Sequence, residues 1–194
     1  MAIAGLCLFV SCKKENSSPS ESDYPYYFSA NINGANIKYE ADDLSSTYGC
    51  GTSAPSSSSG FHHDIYEGTV ITNPLQPAKS SIYVHILKYF NDEPDQAQRI
   101  AMFTLGNYGY GVSNTSPSTV NGATIDYVDA DGKSWSTQDG SQTGSTFTIT
   151  ELSDNEDFTA VKLFKATFNC KLYDGSGNSI ELKNGVIKGK AIFP

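Results

Sequence analysis

The stretch from Tyr24 to Glu40 constrains the fold most strongly, because two alternating segments meet there at a tight-turn signal. The first segment places four apolar side chains on one face of an extended strand: Tyr26, Phe28, Ala30 and Ile32. Asn33-Gly34 follows, and this dipeptide readily adopts the left-handed backbone that a two-residue turn requires. We therefore predict a β-hairpin with antiparallel strands on either side of Asn33-Gly34.

Further short segments of alternating or continuous apolar character follow, separated by Gly, Pro, Asn and Asp. They predict these strands: Ile65–Thr72, Ser80–Phe90, Ala123–Val128, Lys133–Thr137, Ser145–Thr150, Val161–Tyr173, Ser179–Leu182 and Val186–Phe193. Ser80–Phe90 is apolar on both faces, which is typical of a central strand that is covered twice. The sequence thus predicts an antiparallel β-sandwich of about nine or ten strands across residues 24–194.

The connecting segments predict irregular structure with at most one short helix. Ala41–His63 is predicted as a long loop that contains Cys50. Ala97–Leu105 is compatible with a short helix or with a strand. Gly106–Gly111 is predicted to break that element, and Asn184-Gly185 to lead the chain into its final strand.

The charge of the chain excludes one class of partner. The 194 residues carry a net charge of −8, and the sequence pI is about 4.7. Apart from Lys13-Lys14, the sequence contains no run of basic residues. Nucleic-acid binding needs a concentrated positive surface, so we expect no nucleic-acid partner and no electrostatic binding to anionic lipid.

The N-terminal residues carry a possible targeting signal, because Ala2–Val10 is apolar and the chain becomes polar directly after Cys12. Phe9-Val10-Ser11-Cys12 resembles the box that ends bacterial lipoprotein signals, in which a small residue precedes the lipidated cysteine. The resemblance implies a signal peptide over residues 1–11, lipidation of Cys12 with palmitate-type acyl chains, and a flexible tether over residues 12–23. Several acyl chains on one residue would hold the protein at a membrane.

The alternative is that Met1–Val10 is the first buried strand of a cytosolic protein. The polar stretch from Lys13 to Asp23 contains no core residue, which favours the signal. Residues 1–11 contain no Lys or Arg, whereas signals begin with a basic region, so we expect the true start to lie upstream. The apolar run is shorter than the about 20 residues of a transmembrane helix.

The cysteines predict one disulfide. Loss of the signal would remove Cys7, and lipidation would use Cys12, which leaves Cys50 and Cys170. Cysteines in an oxidising compartment are usually paired, so we predict a bridge between Cys50 and Cys170. The alternative is a buried Cys170 thiol, because this residue shares a strand face with Phe168.

Five short pieces of the domain have recognisable strand-and-turn signatures: Phe28–Gly34, Asp131–Thr137, Gly144–Ile149, Ala166–Cys170 and Asn184–Val186. Together they resemble the uncharacterised all-β domains of Bacteroidetes-type outer-membrane lipoproteins. The resemblance implies a single all-β domain held by lipid at the outer membrane, with no assigned activity. It leaves the surface and periplasmic faces of that membrane both open. We expect no cofactor.

Aromatic residues provide the candidate ligand-binding site. Tyr108 and Tyr110 lie in a glycine-rich loop, Trp135 lies beside a turn, and Tyr83 and Tyr89 share one face of a strand. Such rings combine a wide apolar face with a polar handle, which suits stacking on sugar rings. The alternative is that these rings pack within the protein.

The sequence shows no catalytic constellation and no complete metal site. His62-His63-Asp64, with His85 elsewhere, has adjacent histidines that point to opposite sides of an extended chain. Asp129–Gly132 begins like a calcium loop but continues without further oxygen ligands, and it suits a tight turn. We therefore expect a lipid-anchored, non-enzymatic envelope protein that binds a carbohydrate or an envelope protein. A structural accessory of an envelope complex and a glycan-active hydrolase are the alternatives.

Overall fold

The computed structural model describes residues 22–42, 48–53, 63–73, 80–113, 119–155 and 160–193. In chain order its elements are β1 (Tyr26–Ile32), β2 (Ala35–Ala41), β3 (Tyr48–Ser53), β4 (His63–Thr72), β5 (Ser81–Phe90), α1 (Gln96–Ile100), β6 (Gly106–Tyr108), β7 (Gly122–Val128), β8 (Ser134–Ser136), β9 (Thr146–Asp154), β10 (Val161–Tyr173) and β11 (Ser179–Ile192). The predicted all-β, antiparallel fold is confirmed.

The strands form one antiparallel sheet that curls into a half-barrel. Along the sheet the strands follow the order β2-β1-β11-β10-β8-β7-β5-β4-β3, while β9 pairs with β10 and β6 pairs with β9. The curl brings β3 and β4 against β11 across the interior. The sequence predicted a sandwich, which has two packed layers. In the structure, one continuous curled sheet provides both layers.

The first hairpin forms as predicted. Asn33 and Gly34 have φ angles of 49° and 88°, and Ile32 pairs directly with Ala35, so the turn has two residues. The Gly34 N–H donates to the side-chain oxygen of Asn31 at 3.0 Å. This turn type needs positive φ at both central positions, which Asn and Gly tolerate best.

The interior is filled by the apolar side chains of alternate strand positions. Three of its rings stack in sequence, with centroid distances of 6.4 Å from Phe28 to Phe168 and 5.6 Å from Phe168 to Phe147. The predicted central strand is β5, which lies between β4 and β7. Both of its faces are covered, since Ile86 is 4% exposed and Leu87 is fully buried.

A single helical turn and the residues after it pack against β10 and the C-terminal end of β11. In α1 the Asp95 carboxylate accepts the Gln98 N–H at 2.8 Å, and the Gln98 side chain accepts the Asp95 N–H at 2.9 Å. Such reciprocal bonds satisfy N–H groups that the helix leaves unpaired. Phe103 then packs on Phe164 and Phe193, at centroid distances of 5.4 and 5.8 Å. The structure thus shows a helix where the sequence was compatible with helix or strand.

Three predicted irregular segments take part in the sheet. The predicted loop Ala41–His63 contains β3, and Gly106–Tyr108 forms β6 on β9. Asn184-Gly185 is a bulge within β11, where the register with β10 shifts between Phe168 and Cys170. A Cβ on Gly185 would lie 2.5 Å from the Phe168 ring, so glycine lets the two strands continue past this point.

The predicted disulfide is wrong, because Cys50 and Cys170 are both thiols in the structure. Cys170 lies in the interior on β10, whereas Cys50 lies on β3, opposite Thr69 of β4. Four strands separate β10 from β3 along the sheet. The two cysteines therefore lie on strands that are not paired with each other, which the spacing of the sequence alone does not reveal.

Candidate functional site

The β7–β8 hairpin positions Trp135, the single tryptophan of the chain. Asp129 holds the turn, because its carboxylate accepts backbone N–H bonds from Asp131 at 3.0 Å and from Lys133 at 2.9 Å. The same carboxylate accepts the indole N–H of Trp135 at 2.9 Å. The acidic turn that resembled a calcium loop therefore uses its first carboxylate to fix the hairpin and the ring.

A cavity of about 420 Å³ opens beside this hairpin. Its lining includes three aromatic and three acidic residues: Tyr83, Tyr127, Trp135, Asp126, Asp139 and Asp174. Tyr83, Asp126 and Ser136 lie opposite one another on β5, β7 and β8 and so share one face of the sheet. Trp135 is 8% exposed, and the Lys133 ammonium lies 4.2 Å from its ring centroid. One face of the indole is therefore already covered.

Asp126 has an environment that opposes its ionisation. Burial raises the pKa of its carboxyl, a hydrogen bond from Ser136 lowers it, and the nearby charge of Asp139 raises it again. Burial has the largest effect because it removes water from the charged form. The Asp126 carboxyl thus keeps its proton to a higher pH than an exposed aspartate does.

Asp174 has the opposite environment. Its carboxylate accepts the Lys133 ammonium at 2.7 Å, the Asn178 amide at 2.6 Å, and the backbone N–H groups of Ser176 and Asn178 at 2.9 and 3.0 Å. The bond from Lys133 is the largest of the effects that hold the pKa of Asp174 well below its usual range. Its oxygens are therefore engaged within the protein.

The cavity suits a ligand with several hydroxyl groups. The carboxyl groups of Asp126 and Asp139 can exchange hydrogen bonds with hydroxyls, and the Tyr83 ring offers an apolar face. Two carboxyls with opposite pKa shifts are a feature of acid–base catalysis. Here, however, the ionised carboxylate of Asp174 is engaged by Lys133 and by its own turn. The arrangement is therefore better suited to binding than to glycoside hydrolysis.

The structure brings Tyr108 and Tyr110 together on a different part of the fold. Both rings meet Phe147 edge-on, at centroid distances of 6.0 and 6.4 Å. The Tyr108 hydroxyl accepts a backbone N–H from the segment after α1 at 2.7 Å, and the Tyr110 hydroxyl donates to the Thr146 carbonyl at 3.1 Å. Both tyrosines thus support packing and backbone hydrogen bonding, whereas Trp135 lines the cavity.

The candidate metal ligands occur in separate surroundings. His85 lies on β5 between two tyrosine rings, and burial lowers its pKa to about 4. Asp64 accepts the hydroxyls of Ser113 and Thr119 at 2.5 and 2.6 Å. Within the ranges that the structure describes, no three His, Cys, Asp or Glu residues are grouped to hold a metal ion, and His62 lies outside these ranges.

Neither family models, nor curated proteins, nor solved structures match this chain. The site is therefore described by its own geometry. In the described part of the chain, no helix is long and apolar enough to span a membrane. Cys12 lies outside the described residues, so its lipidation stays a prediction.

Sequence reasoning did not single out Asp126 or Asp174 as site residues. A signal for Asp126 was present, because it stands between Ile125 and Tyr127 in a strand that is otherwise largely apolar. A carboxyl in such a position is often buried and chemically perturbed. Asp174 gave no comparable signal, since Asp before Gly is an ordinary turn residue.

Proposed function

We propose that this protein is a lipid-anchored, non-enzymatic protein of the outer membrane that binds a glycan in the cavity beside Trp135. The supporting observation is the combination of carboxyl groups with aromatic residues around a space of about 420 Å³. Sugars present hydroxyl groups at their edges and apolar C–H groups on their faces. Acidic and aromatic side chains together complement both features.

A glycan fits the described surface better than a protein ligand does. Protein partners generally bind to contiguous exposed apolar patches. In the described part of the chain, three large apolar residues are exposed, and they lie in three different segments: Tyr24, Leu105 and Val120. The cavity beside Trp135, which combines carboxyl groups with aromatic residues, is therefore the feature that favours a glycan.

A glycan-array screen of the protein tests the proposal, with variants that separate the cavity from the rest of the fold. Tyr83→Ala and Asp139→Asn change residues that line the cavity. Tyr89→Ala is the matched control, because Tyr89 is a half-buried tyrosine on the same face of β5 but outside the cavity lining. We expect binding that both cavity variants lose and that Tyr89→Ala retains.

Two results would count against this site. Binding that survives both cavity variants would place the ligand elsewhere on the protein. A blank array with correctly folded protein would instead favour the alternative function, a structural or assembly accessory of an envelope complex. Cross-linking in intact envelopes would then identify the neighbouring proteins.

A glycan-active hydrolase is the second candidate, and the opposite pKa shifts of Asp126 and Asp174 favour it. Prolonged incubation with any glycan found on the array, followed by mass spectrometry, distinguishes binding from turnover. We expect the glycan to remain intact. Cleavage that disappears in Asp126→Asn would establish the enzyme.

The lipid anchor is tested separately, because it rests on the sequence around Cys12 alone. Cys12→Ala removes the proposed lipidation site, so we expect the variant to leave the membrane fraction. Ser11→Ala is the control, since it keeps a small residue before the cysteine. Continued membrane partitioning of Cys12→Ala would refute the anchor.

A further inference from the structure

A second cavity, of about 470 Å³, crosses β9, β10 and β11 and reaches the start of β1. Part of its lining is apolar and comes from Tyr26, Leu163 and Phe164. Another part is charged and comes from Glu151, Lys165 and Lys188. It shares no lining residue with the cavity beside Trp135, so it is a separate site.

Two of the three strands that this cavity crosses, β10 and β11, are rich in lysine, whereas β9 carries Glu151 and Asp154. Residues 161–192, which form β10, β11 and their connection, contain six lysines and two acids, whereas the whole chain has a net charge of −8. The lysines are spread along the sequence, but antiparallel pairing of the two strands places Lys165 opposite Lys188 and Lys190 opposite Leu163. Positive charge around a concave surface attracts anions and concentrates them there.

Two of these lysines face each other directly. Lys165 and Lys188 are opposed in the register of β10 and β11, so their side chains project from the same face and repel each other. Glu151 is opposed to Lys165 on β9, and its carboxylate lies 3.1 Å from the Lys165 ammonium. Lys188 is exposed and has Lys165 on one side and Tyr27 on the other. Neither neighbouring strand places an acidic residue directly opposite Lys188.

A third lysine adds to the charge at one end of the cavity. Lys190 is opposed to Leu163, which places it on the same face of the sheet as the other two lysines. Its ammonium lies 5.0 Å from the centroid of the Tyr26 ring. This contact holds positive charge next to an apolar wall of the cavity.

We propose that this cavity binds a small organic anion, with its phosphate or carboxylate group between Lys165 and Lys188 and its apolar part against Leu163 and Tyr26. The anion supplies negative charge beside Lys188, which faces no acid directly across either neighbouring strand. Ammonium groups form strong hydrogen bonds to such oxygens. The cavity volume lies within the range of about 300–1,000 Å³ of small-molecule sites. A recessed site of this size favours a small molecule over a flat membrane surface.

Calorimetric titration of the full chain with naphthyl phosphate tests this proposal, because that probe combines an anionic group with an apolar body. Naphthol and inorganic phosphate are the companion probes, and each carries one of the two features. We expect naphthyl phosphate to bind at least about tenfold more tightly than either companion, and added salt to weaken it. No binding at millimolar concentration, or equal binding of naphthol, would overturn the proposal.

Matched variants then test the lysines. Lys188→Gln removes the charge and keeps most of the side-chain length, and we expect it to weaken binding by at least about tenfold. Lys183→Gln is the control on the same strand, because Lys183 lies outside the cavity and pairs with Glu181 at 2.5 Å. Its affinity should stay within about twofold of the original protein. Equal weakening by both variants would show a non-specific charge effect and refute the site.

The position of the bound probe provides an independent measurement. Intermolecular nuclear Overhauser effects should connect the naphthyl protons to the Leu163 methyl groups, and signals only to residues elsewhere would refute the placement. Tyr83→Ala, which changes the other cavity, should leave naphthyl phosphate binding unchanged. The test of the anion site is therefore independent of the test of the proposed glycan site.

Discussion

The surroundings of Asp126 oppose its charge, so its contribution to stability depends on pH with a definite sign. Burial raises the pKa of its carboxyl in the folded protein. For such an acid, the favourable contribution to folding is complete below the unfolded pKa of about 3.9 and is lost as the pH rises through the folded pKa. Through this shift, Asp126 makes the folded protein less stable at neutral pH than in acid.

Asp126→Asn should stabilise the protein at neutral pH, because the amide keeps the shape and the contact with Ser136 but cannot ionise. The difference from the original protein should disappear below the unfolded pKa of aspartate, about 3.9. Urea unfolding at neutral and acidic pH measures both values. A variant that is less stable at neutral pH would show that the ionised carboxylate has a favourable partner.

Asp129 has a structural role that a single substitution can measure. Its carboxylate accepts three N–H groups, from Asp131, Lys133 and Trp135. Asp129→Ala leaves these donors without their acceptor, so we expect it to lower the free energy of unfolding by about 1–3 kcal/mol. The fluorescence of Trp135 should report the change directly. Asp131→Ala is the control, because it keeps the backbone N–H, and it should stay within about 0.5 kcal/mol.

At the scale of elements, the sequence predicted strands where periodicity is strong and local. Val161–Tyr173 was predicted with the bounds of β10, and Asn33-Gly34 was predicted as a hairpin turn. β3 was missed because Tyr48-Gly49-Cys50-Gly51 contains two glycines, which are depleted in strands, and the segment pairs with β4 in the structure. Asn184-Gly185 was misread because the same dipeptide forms a turn or a bulge according to which strand it opposes.

The candidate sites also divide into features that the sequence predicted and features that depend on strand pairing. The sequence identified Trp135 and Tyr83 as aromatic residues in suitable contexts, and both line the cavity beside the β7–β8 hairpin. It could not pair Lys165 with Lys188, because their opposition depends on the register between β10 and β11. A single sequence therefore does not predict sites that depend on pairing between distant segments, whereas it does predict turns and alternating strands.

The bulge in β11 makes a prediction at this scale. Gly185→Ala would place a Cβ about 2.5 Å from the Phe168 ring, so the variant must displace a core aromatic or shift the strand. We expect a loss of about 1–3 kcal/mol in the free energy of unfolding, as for overpacked cores. Asn184→Gly is the control, because φ at Asn184 is 53° and glycine adopts this angle readily. Unchanged stability of Gly185→Ala would mean that the bulge relaxes without strain.

At the scale of the whole molecule, one buried ion pair joins the wall of the half-barrel to α1. Glu67 lies on the core-facing side of β4 and is fully buried, and its carboxylate is 3.7 Å from the guanidinium of Arg99 on α1. The same guanidinium lies 3.7 Å from Glu93 and donates to the Pro94 carbonyl at 3.3 Å. Glu67 and Arg99 thus connect the sheet to the short helix.

A double-mutant cycle measures this connection. Arg99→Met leaves the buried Glu67 charge without its guanidinium, so we expect a loss of about 3–5 kcal/mol, and Glu67→Met should be similarly destabilising. The double variant should recover most of that loss, because apolar side chains of similar size can replace a buried ion pair. Glu93→Gln is the control, because its side chain is 77% exposed, and it should change stability by less than about 0.5 kcal/mol. If the losses of the two single variants simply add in the double variant, the pair is not coupled, and the helix is held by apolar packing of Phe103 instead.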